Sequence, residues 1–189
     1  LVKESELIRK IYRRRINNLG NTFGMFTANL LIKPDAIPYI GRNQYVYKDA
    51  NLWQYTPGKT DRVLVSYYQP KEGNSIRQLD LLTPMSWDEV APWAEKPIGR
   101  RGDDYVAMKN AKTQACIDVV KTILPQLADS IEANFTSTPI SYQTYTNTEK
   151  GSAYGIQKDF NSPMTTVLTP RTPIPNLLLT GQNLNLHGI

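Results

Sequence analysis

The sequence predicts an α+β fold, a mixed or mainly antiparallel sheet covered by helices, and three observations predict it. Four strand-like runs come first, between Phe23 and Thr83, and the one long helical pattern, Asp103–Leu124, follows them. Strands followed by helices, instead of strict alternation, mark a sheet with helices segregated to one side. The length of 189 residues, with 40% hydrophobic and 21% charged side chains, supports one ordinary buried core.

The elements follow in order. Leu7, Ile8, Ile11, Ile16 and Leu19 recur near a 3.6-residue period, so Glu4–Leu19 reads as a helix that Gly20 stops. Phe23–Lys33 reads as a strand ended by Pro34, and Tyr45, Val46 and Tyr47 mark a second over Gln44–Lys48. Arg62–Gln69 follows the turn Thr56-Pro57-Gly58-Lys59, and Leu79–Thr83 makes a fourth strand beside Pro84. Ser86 with Glu89 three residues on suggests a capped short helix over Ser86–Trp93. Asp103–Leu124 carries Val106, Ala107, Ala111, Ala115, Cys116, Val119, Val120 and Ile123 at helical spacing. Pro125–Ile131 reads as a further short helix, and Ile131–Thr138 and Thr144–Thr146 read as extended. The four prolines of Ser162–Pro175 exclude helix and central strand there, and Leu177-Leu178-Leu179-Thr180 reads as a short buried strand.

Composition excludes several function classes. One cysteine, Cys116, and one histidine, His187, leave no disulfide and no metal cluster. No apolar run approaches the roughly 20 residues that span a bilayer, and a reducing cytoplasm fits. The net charge is +5, but basic and acidic residues are interspersed, which argues against a nucleic-acid surface. The exception is Arg9, Lys10, Arg13, Arg14 and Arg15: either the solvated face of a helix or a patch for anionic headgroups. G-x-S-x-G, H-E-x-x-H, Walker A and G-x-G-x-x-G are all absent. The acidic pairs Asp88-Glu89 and Asp103-Asp104 sit at helix starts, where carboxylates complement the dipole.

The informative pattern is Thr172-Pro173-Ile174-Pro175-Asn176, Leu177-Leu178-Leu179-Thr180 and Gly181-Gln182-Asn183, with Gly188 shortly after. A stiff approach, an apolar strand and a glycine at its end suit a backbone that presents N–H groups to a ligand. Joined together, these blocks resemble the C-terminal flavin motif of the phytoene desaturase, carotenoid isomerase and retinol saturase family. Arg101-Gly102-Asp103-Asp104-Tyr105, Ser137-Thr138-Pro139-Ile140-Ser141, Tyr145-Thr146 and Gly151-Ser152-Ala153-Tyr154-Gly155-Ile156 match in the same order. The resemblance runs from about Trp93 to the end, roughly half the chain.

The resemblance implies that this chain is a portion of a two-domain FAD-dependent oxidoreductase. Residues 1–175 would form its substrate-binding or lid domain, and 176–189 a strand and turn of the FAD domain. The Rossmann unit of the same protein, with its G-x-G-x-x-G, has no counterpart here, and Ile189 stands where the final helix would begin. It further implies FAD as cofactor of the intact protein, not retained by this portion alone, with NAD(P) as a candidate co-substrate. Gly181, Gln182, Asn183, Gly188 and Ile189 would border the flavin, and Tyr154, Gly155 and His187 would stand near the substrate; it names no catalytic residue. The substrate would be an apolar polyene, carotenoid or retinoid-like, gripped by apolar walls. Two rivals stand beside it: an amine-oxidase-like enzyme for a smaller polar substrate, and a non-enzymatic binding module of the same fold.

Overall fold

The computed structural model describes residues 5–52, 54–181 and 184. Five strands form one antiparallel sheet in the order β2-β3-β4-β1-β5. They are β1 (Gly24–Ile32), β2 (Gln44–Tyr47), β3 (Arg62–Tyr67), β4 (Gln78–Met85) and β5 (Ile131–Ser137). The helices are α1 (Lys10–Asn17), α2 (Asp103–Val120), α3 (Leu127–Ser130), α4 (Pro139–Thr146) and α5 (Pro163–Thr166). α5 is a single turn where the prolines were expected to exclude helix, because Pro163 sits at its first position, where no N–H is needed.

Alternation of side chains along each strand decides which face is the core. Phe26, Ala28, Leu30 and Ile32 of β1 lie on one face with Val63 and Val65 of β3 and Leu79, Leu81 and Met85 of β4, all essentially buried. That face packs against α2, whose Cys116, Ile117, Val119 and Val120 belong to the same apolar cluster. Burial pushes the Cys116 thiol up to about 12, as for a core residue and not a nucleophile.

The helix expected over Glu4–Leu19 is shorter, Lys10–Asn17, and contains no buried residue. It has no side-chain cap and no acidic residue in its first turn, so the apolar period alone does not extend it. The helix expected over Ser86–Trp93 is two 3-10 turns, Trp87–Glu89 and Ala91–Trp93, with Pro92 inside the second and Val90 non-helical between them. β4 runs past Thr83 through Pro84. β3 pairs with β4 only as far as Leu82, so one side of the strand is already unpaired where the proline sits.

Thr144–Thr146, expected as extended, is the last turn of α4. Pro139 starts this helix, and Thr138 and Ser141 cap it reciprocally, with the Thr138 N–H donating to Ser141 Oγ at 3.2 Å. The local signal for a helix start outweighs the β-branched residues at its end. Leu177–Thr180, expected as a buried strand, forms only an isolated bridge between Arg171 and Leu178, and Leu178 is 68% exposed. The Thr172 hydroxyl donates to the Leu177 carbonyl at 2.8 Å and accepts from the Ile174 N–H at 3.1 Å. The Pro-rich approach therefore doubles back as a tight turn, and no strand among the described residues lies beside the leucines to cover them.

Candidate functional site

The sheet face opposite α2 is covered only in part: the Tyr142 hydroxyl of α4 meets Thr27, and Thr27 and Asp80 are buried, while Tyr45 and Phe135 are exposed. Register places Met25, Thr27, Asn29 and Leu31 of β1 on it, opposite Pro84, Leu82, Asp80 and Gln78 of β4. Leu64 of β3 lies across from Leu82 and from Tyr45, and Arg62 from Tyr47. Tyr45 is 69% exposed and Phe135, on the β5 edge of the same face, 68%. A sheet sealed on one side and aromatic on the other presents an apolar wall.

One end of this wall is an aromatic cavity of 160 Å³, bounded by Phe23, Met25, Tyr45, Tyr47, Leu64 and Tyr154 among others. Phe23 meets Tyr55 at 6.0 Å and Tyr154 edge-on at 6.3 Å, an arrangement that favours aromatic rings. The loop after α4 brings Tyr154 there. Gly24 bridges to Ser152, Asn21 bridges to Ile156, and the Thr22 N–H donates to the Gly155 carbonyl at 2.8 Å. Gly155 is thus buried and structural, while the Tyr154 ring lines the cavity.

The middle of the wall is polar. Asp80, only 6% exposed, accepts from the Tyr68 hydroxyl at 2.8 Å and from Gln78 Nε2 at 3.3 Å. The Asn29 amide, oriented to donate, reaches both Asp80 oxygens at 3.2 Å. The bond to Asp80, with burial and the carboxylate charge, raises the Tyr68 phenol above its ordinary value. Asp80 lines a groove of 380 Å³ with Thr27, Leu82 and Tyr142, and the Thr27 and Tyr142 hydroxyls lie 3.1 Å apart.

The expected flavin border is described only at Gly181. Its φ is +114°, and the place a Cβ would occupy is open space, so bare backbone faces outward there. Gln182, Asn183, His187, Gly188 and Ile189 lie outside the described residues. Gly181 is not brought to the aromatic cavity or to the groove; neither is lined by it.

No protein-family model matches the chain. It is similar to the all-trans-retinol 13,14-reductase of Rattus norvegicus, 32% identical over 114 residues, 59% of this chain and 19% of that protein. The Homo sapiens protein of the same name is 32% identical over 112 residues, 58% of this chain and 18% of its own length. The Danio rerio protein is 29% identical over 144 residues, 75% of this chain and 21% of its own length. The chain resembles the retinol saturases. These likenesses support the retinol saturase family, and the chain spans about a fifth of the length of those relatives.

Two arrangements in this retinol saturase-like chain escaped the sequence reading. Glu89, read as a capping residue, also takes an ion pair from buried Lys112 at 2.8 Å and a bond from the Tyr55 hydroxyl at 3.2 Å. Burial would raise the Glu89 carboxyl, but the bonds from Lys112 and Ser86 outweigh it and hold the group below its usual range. Tyr55, half-buried beside that carboxylate, is pushed up to about 12. The second arrangement is Arg101 and Lys109 on opposite sides of Tyr105 in the sequence. The four-residue spacing of Tyr105 and Lys109 on one helix was the available signal.

Among the described residues, no helix is long and apolar enough to cross a membrane.

Proposed function

We propose that this chain is the substrate-side portion of an FAD-dependent oxidoreductase acting on carbon–carbon bonds of an apolar polyene, retinoid-like or carotenoid. The observation that carries the reading is the apolar and aromatic part of the sheet face opposite α2. Tyr45, Tyr47, Leu64, Leu82, Met25 and Phe135 stand on one side of a sheet whose other side is buried in the core with α2. A polyene offers few polar handles, so an extended apolar and aromatic wall is what binding it requires. The relatives are named for retinol, a polyene of this substrate class.

Gly181, with Gln182, Asn183, Gly188 and Ile189, would border the flavin; the bare backbone at Gly181 is compatible with close approach of a planar ring. When bound, the flavin would supply hydride transfer to or from the substrate carbon–carbon bond. The chain's own contribution is position and dryness. The wall holds the apolar chain, Tyr154 and Phe23 close one end, and Asp80 with Asn29 and Tyr68 gives the wall one fixed polar point.

The test has two parts. The visible absorption spectrum of the full-length gene product carrying this chain should show bound flavin. Quenching of protein fluorescence by all-trans-retinol should saturate and weaken strongly in Leu64→Asp, with Phe160→Ser, 87% exposed and lining neither the cavity nor the groove, as control. A colourless, folded full-length protein, or equal quenching in Leu64→Asp, overturns the reading.

A further inference from the structure

A cavity of 450 Å³ lies between the N-terminal turn of α2 and the β5–α4 corner, lined by Arg101, Gly102, Lys109, Ser137, Ser141 and Thr144 among others. Its two cations share one aromatic platform. The Arg101 guanidinium sits 5.5 Å from the centre of the Tyr105 ring, and Lys109 Nζ sits 5.1 Å from it. Two like charges beside the same ring repel each other. Among the described residues, neither is within ion-pair distance of a carboxylate.

We propose that this cavity binds an oxyanion, a phosphate or carboxylate group, held between Arg101 and Lys109. Three further observations agree. Arg101 Nε is buried and has no hydrogen-bond partner, so the guanidinium keeps an unsatisfied donor at the cavity wall. Burial, and then the Arg101 charge, lowers Lys109 below its ordinary value, which an anion between the two would reverse. The hydroxyls of Ser137, Ser141 and Thr144 line the same cavity and are donors of the kind an oxyanion accepts from. The α2 N-terminus itself is not the argument, because the Asp104 carboxylate already accepts from the Tyr105 N–H and from Trp93 Nε1. Asp103 also lines the cavity; two cations and one carboxylate leave one net positive charge.

The volume exceeds what a lone oxyanion fills, so the group arrives attached to something. Ser137, Ser141 and Tyr145 line both this cavity and the groove above Thr27, Asn29, Asp80 and Leu82. An anionic head held by Arg101 and Lys109 would therefore have an open way onto the sheet face. The head belongs either to an amphiphile lying along that face or to a free or nucleotide phosphate.

Titration calorimetry and amide chemical shifts test it directly on the protein. Inorganic phosphate, at constant ionic strength set with chloride, should bind saturably and shift the amides of Gly99, Gly102 and Ser137. Arg101→Gln with Lys109→Gln should weaken it by about tenfold or more, as expected for losing charge-assisted bonds. Arg14→Gln should leave it unchanged. Phosphate-dependent thermal stabilisation of the unaltered protein gives a reading that needs no variant. Decanoate and decanol then distinguish the sources. Decanoate binding tighter than phosphate, with shifts reaching Thr27 and Leu82, identifies an amphiphile head. Decanoate no tighter than phosphate identifies a free or nucleotide phosphate. Non-saturable phosphate shifts, undiminished binding to the double variant, or decanol binding as well as decanoate would overturn the proposal. Since flavin and polyene take no part, failure here leaves the oxidoreductase reading standing, and the reverse also holds.

Discussion

The Tyr105 and Thr138 hydroxyls meet 2.8 Å apart in a buried seam, joining the first turn of α2 to the residue that caps α4. Thr138 is fully buried and also belongs to the capping box of α4, so one short bond couples two helix starts. Tyr105→Phe keeps the ring but removes one of the two partners of the buried Thr138 hydroxyl. It should cost about 1–2 kcal/mol, which in a chain of this size lowers Tm by about 2–8 °C. An unchanged melting temperature by circular dichroism would show that the bond carries no net stability. Because the ring remains, phosphate binding at Arg101 and Lys109 should survive the substitution.

Glu89 and Lys112 form the most enclosed ion pair among the described residues, with side chains 16% and 8% exposed. Glu89 also accepts from the Ser86 N–H at 2.9 Å and from Tyr55, so removing it strands several donors. Lys112→Met should destabilise by about 3–5 kcal/mol, because it leaves a carboxylate without its cation. The sign of the pH dependence follows from the lowered Glu89 carboxyl. A carboxyl depressed in the folded state contributes stability that is complete above its unfolded value of 4.5 and lost as pH falls through the folded value. Urea midpoints should therefore drop below about pH 4.5, and Glu89→Gln should flatten that acid limb. A limb equally steep in the variant would assign it to other carboxyls.

The sheet was legible in the sequence because its strands carry their own evidence. β1 alternates Phe26, Ala28, Leu30 and Ile32 inward, and Pro34 and Gly20 fall where the chain changes direction. α2 was legible as a helix, but it ends at Val120 and not Leu124, and Val106, Ala107 and Ala111 of its expected apolar face are exposed while Lys112 and Thr113 are buried. What stayed hidden depends on pairs distant in sequence. Glu89 and Lys112 are 23 residues apart, and nothing local in Ser86–Glu89 announces a buried lysine. Thr144–Thr146 looked extended because three β-branched or aromatic residues prefer strands, whereas the cap at Thr138 and Pro139 had already committed the chain to a helix. The same limit applies to the site. Tyr154 was singled out from a loop motif and does line the aromatic cavity, but the open wall itself appears only once register is known.

Gly151 has a role the motif alone left ambiguous. Its φ is +59°, and an added Cβ would run into the backbone carbonyl of Pro139, the first residue of α4. Gly151→Ala should therefore combine a left-handed-backbone penalty with displacement of α4, about 3 kcal/mol or more. Gly58, at φ +81° with nothing near its would-be Cβ, provides the comparison, and Gly58→Ala should cost only about 1–2 kcal/mol. Equal losses by denaturant unfolding would mean that strain alone matters and that the approach to Pro139 is slack.

In the basic helix α1, two of the arginines are engaged by the chain itself. Arg15 donates to the carbonyls of Met164, Thr165 and Val167 at 3.2, 3.4 and 2.7 Å, and Arg13 donates to the Ser5 carbonyl at 3.1 Å. Reversing those two charges would disturb the chain's own contacts along with any lipid binding. Arg9, Lys10 and Arg14 are exposed, and Ile11 and Leu7 beside them are 77% and 55% exposed, an apolar and basic combination suited to anionic headgroups. If α1 docks at a bilayer surface, Lys10→Glu with Arg14→Glu should lower co-sedimentation with phosphatidylserine vesicles by about tenfold or more. Each charge near an anionic surface contributes about 1 kcal/mol, and reversal replaces attraction with repulsion. Raising salt should weaken wild-type binding in the same way. Sedimentation insensitive to both changes would return α1 to the simpler role of a solvated helix anchored to α5 through Arg15.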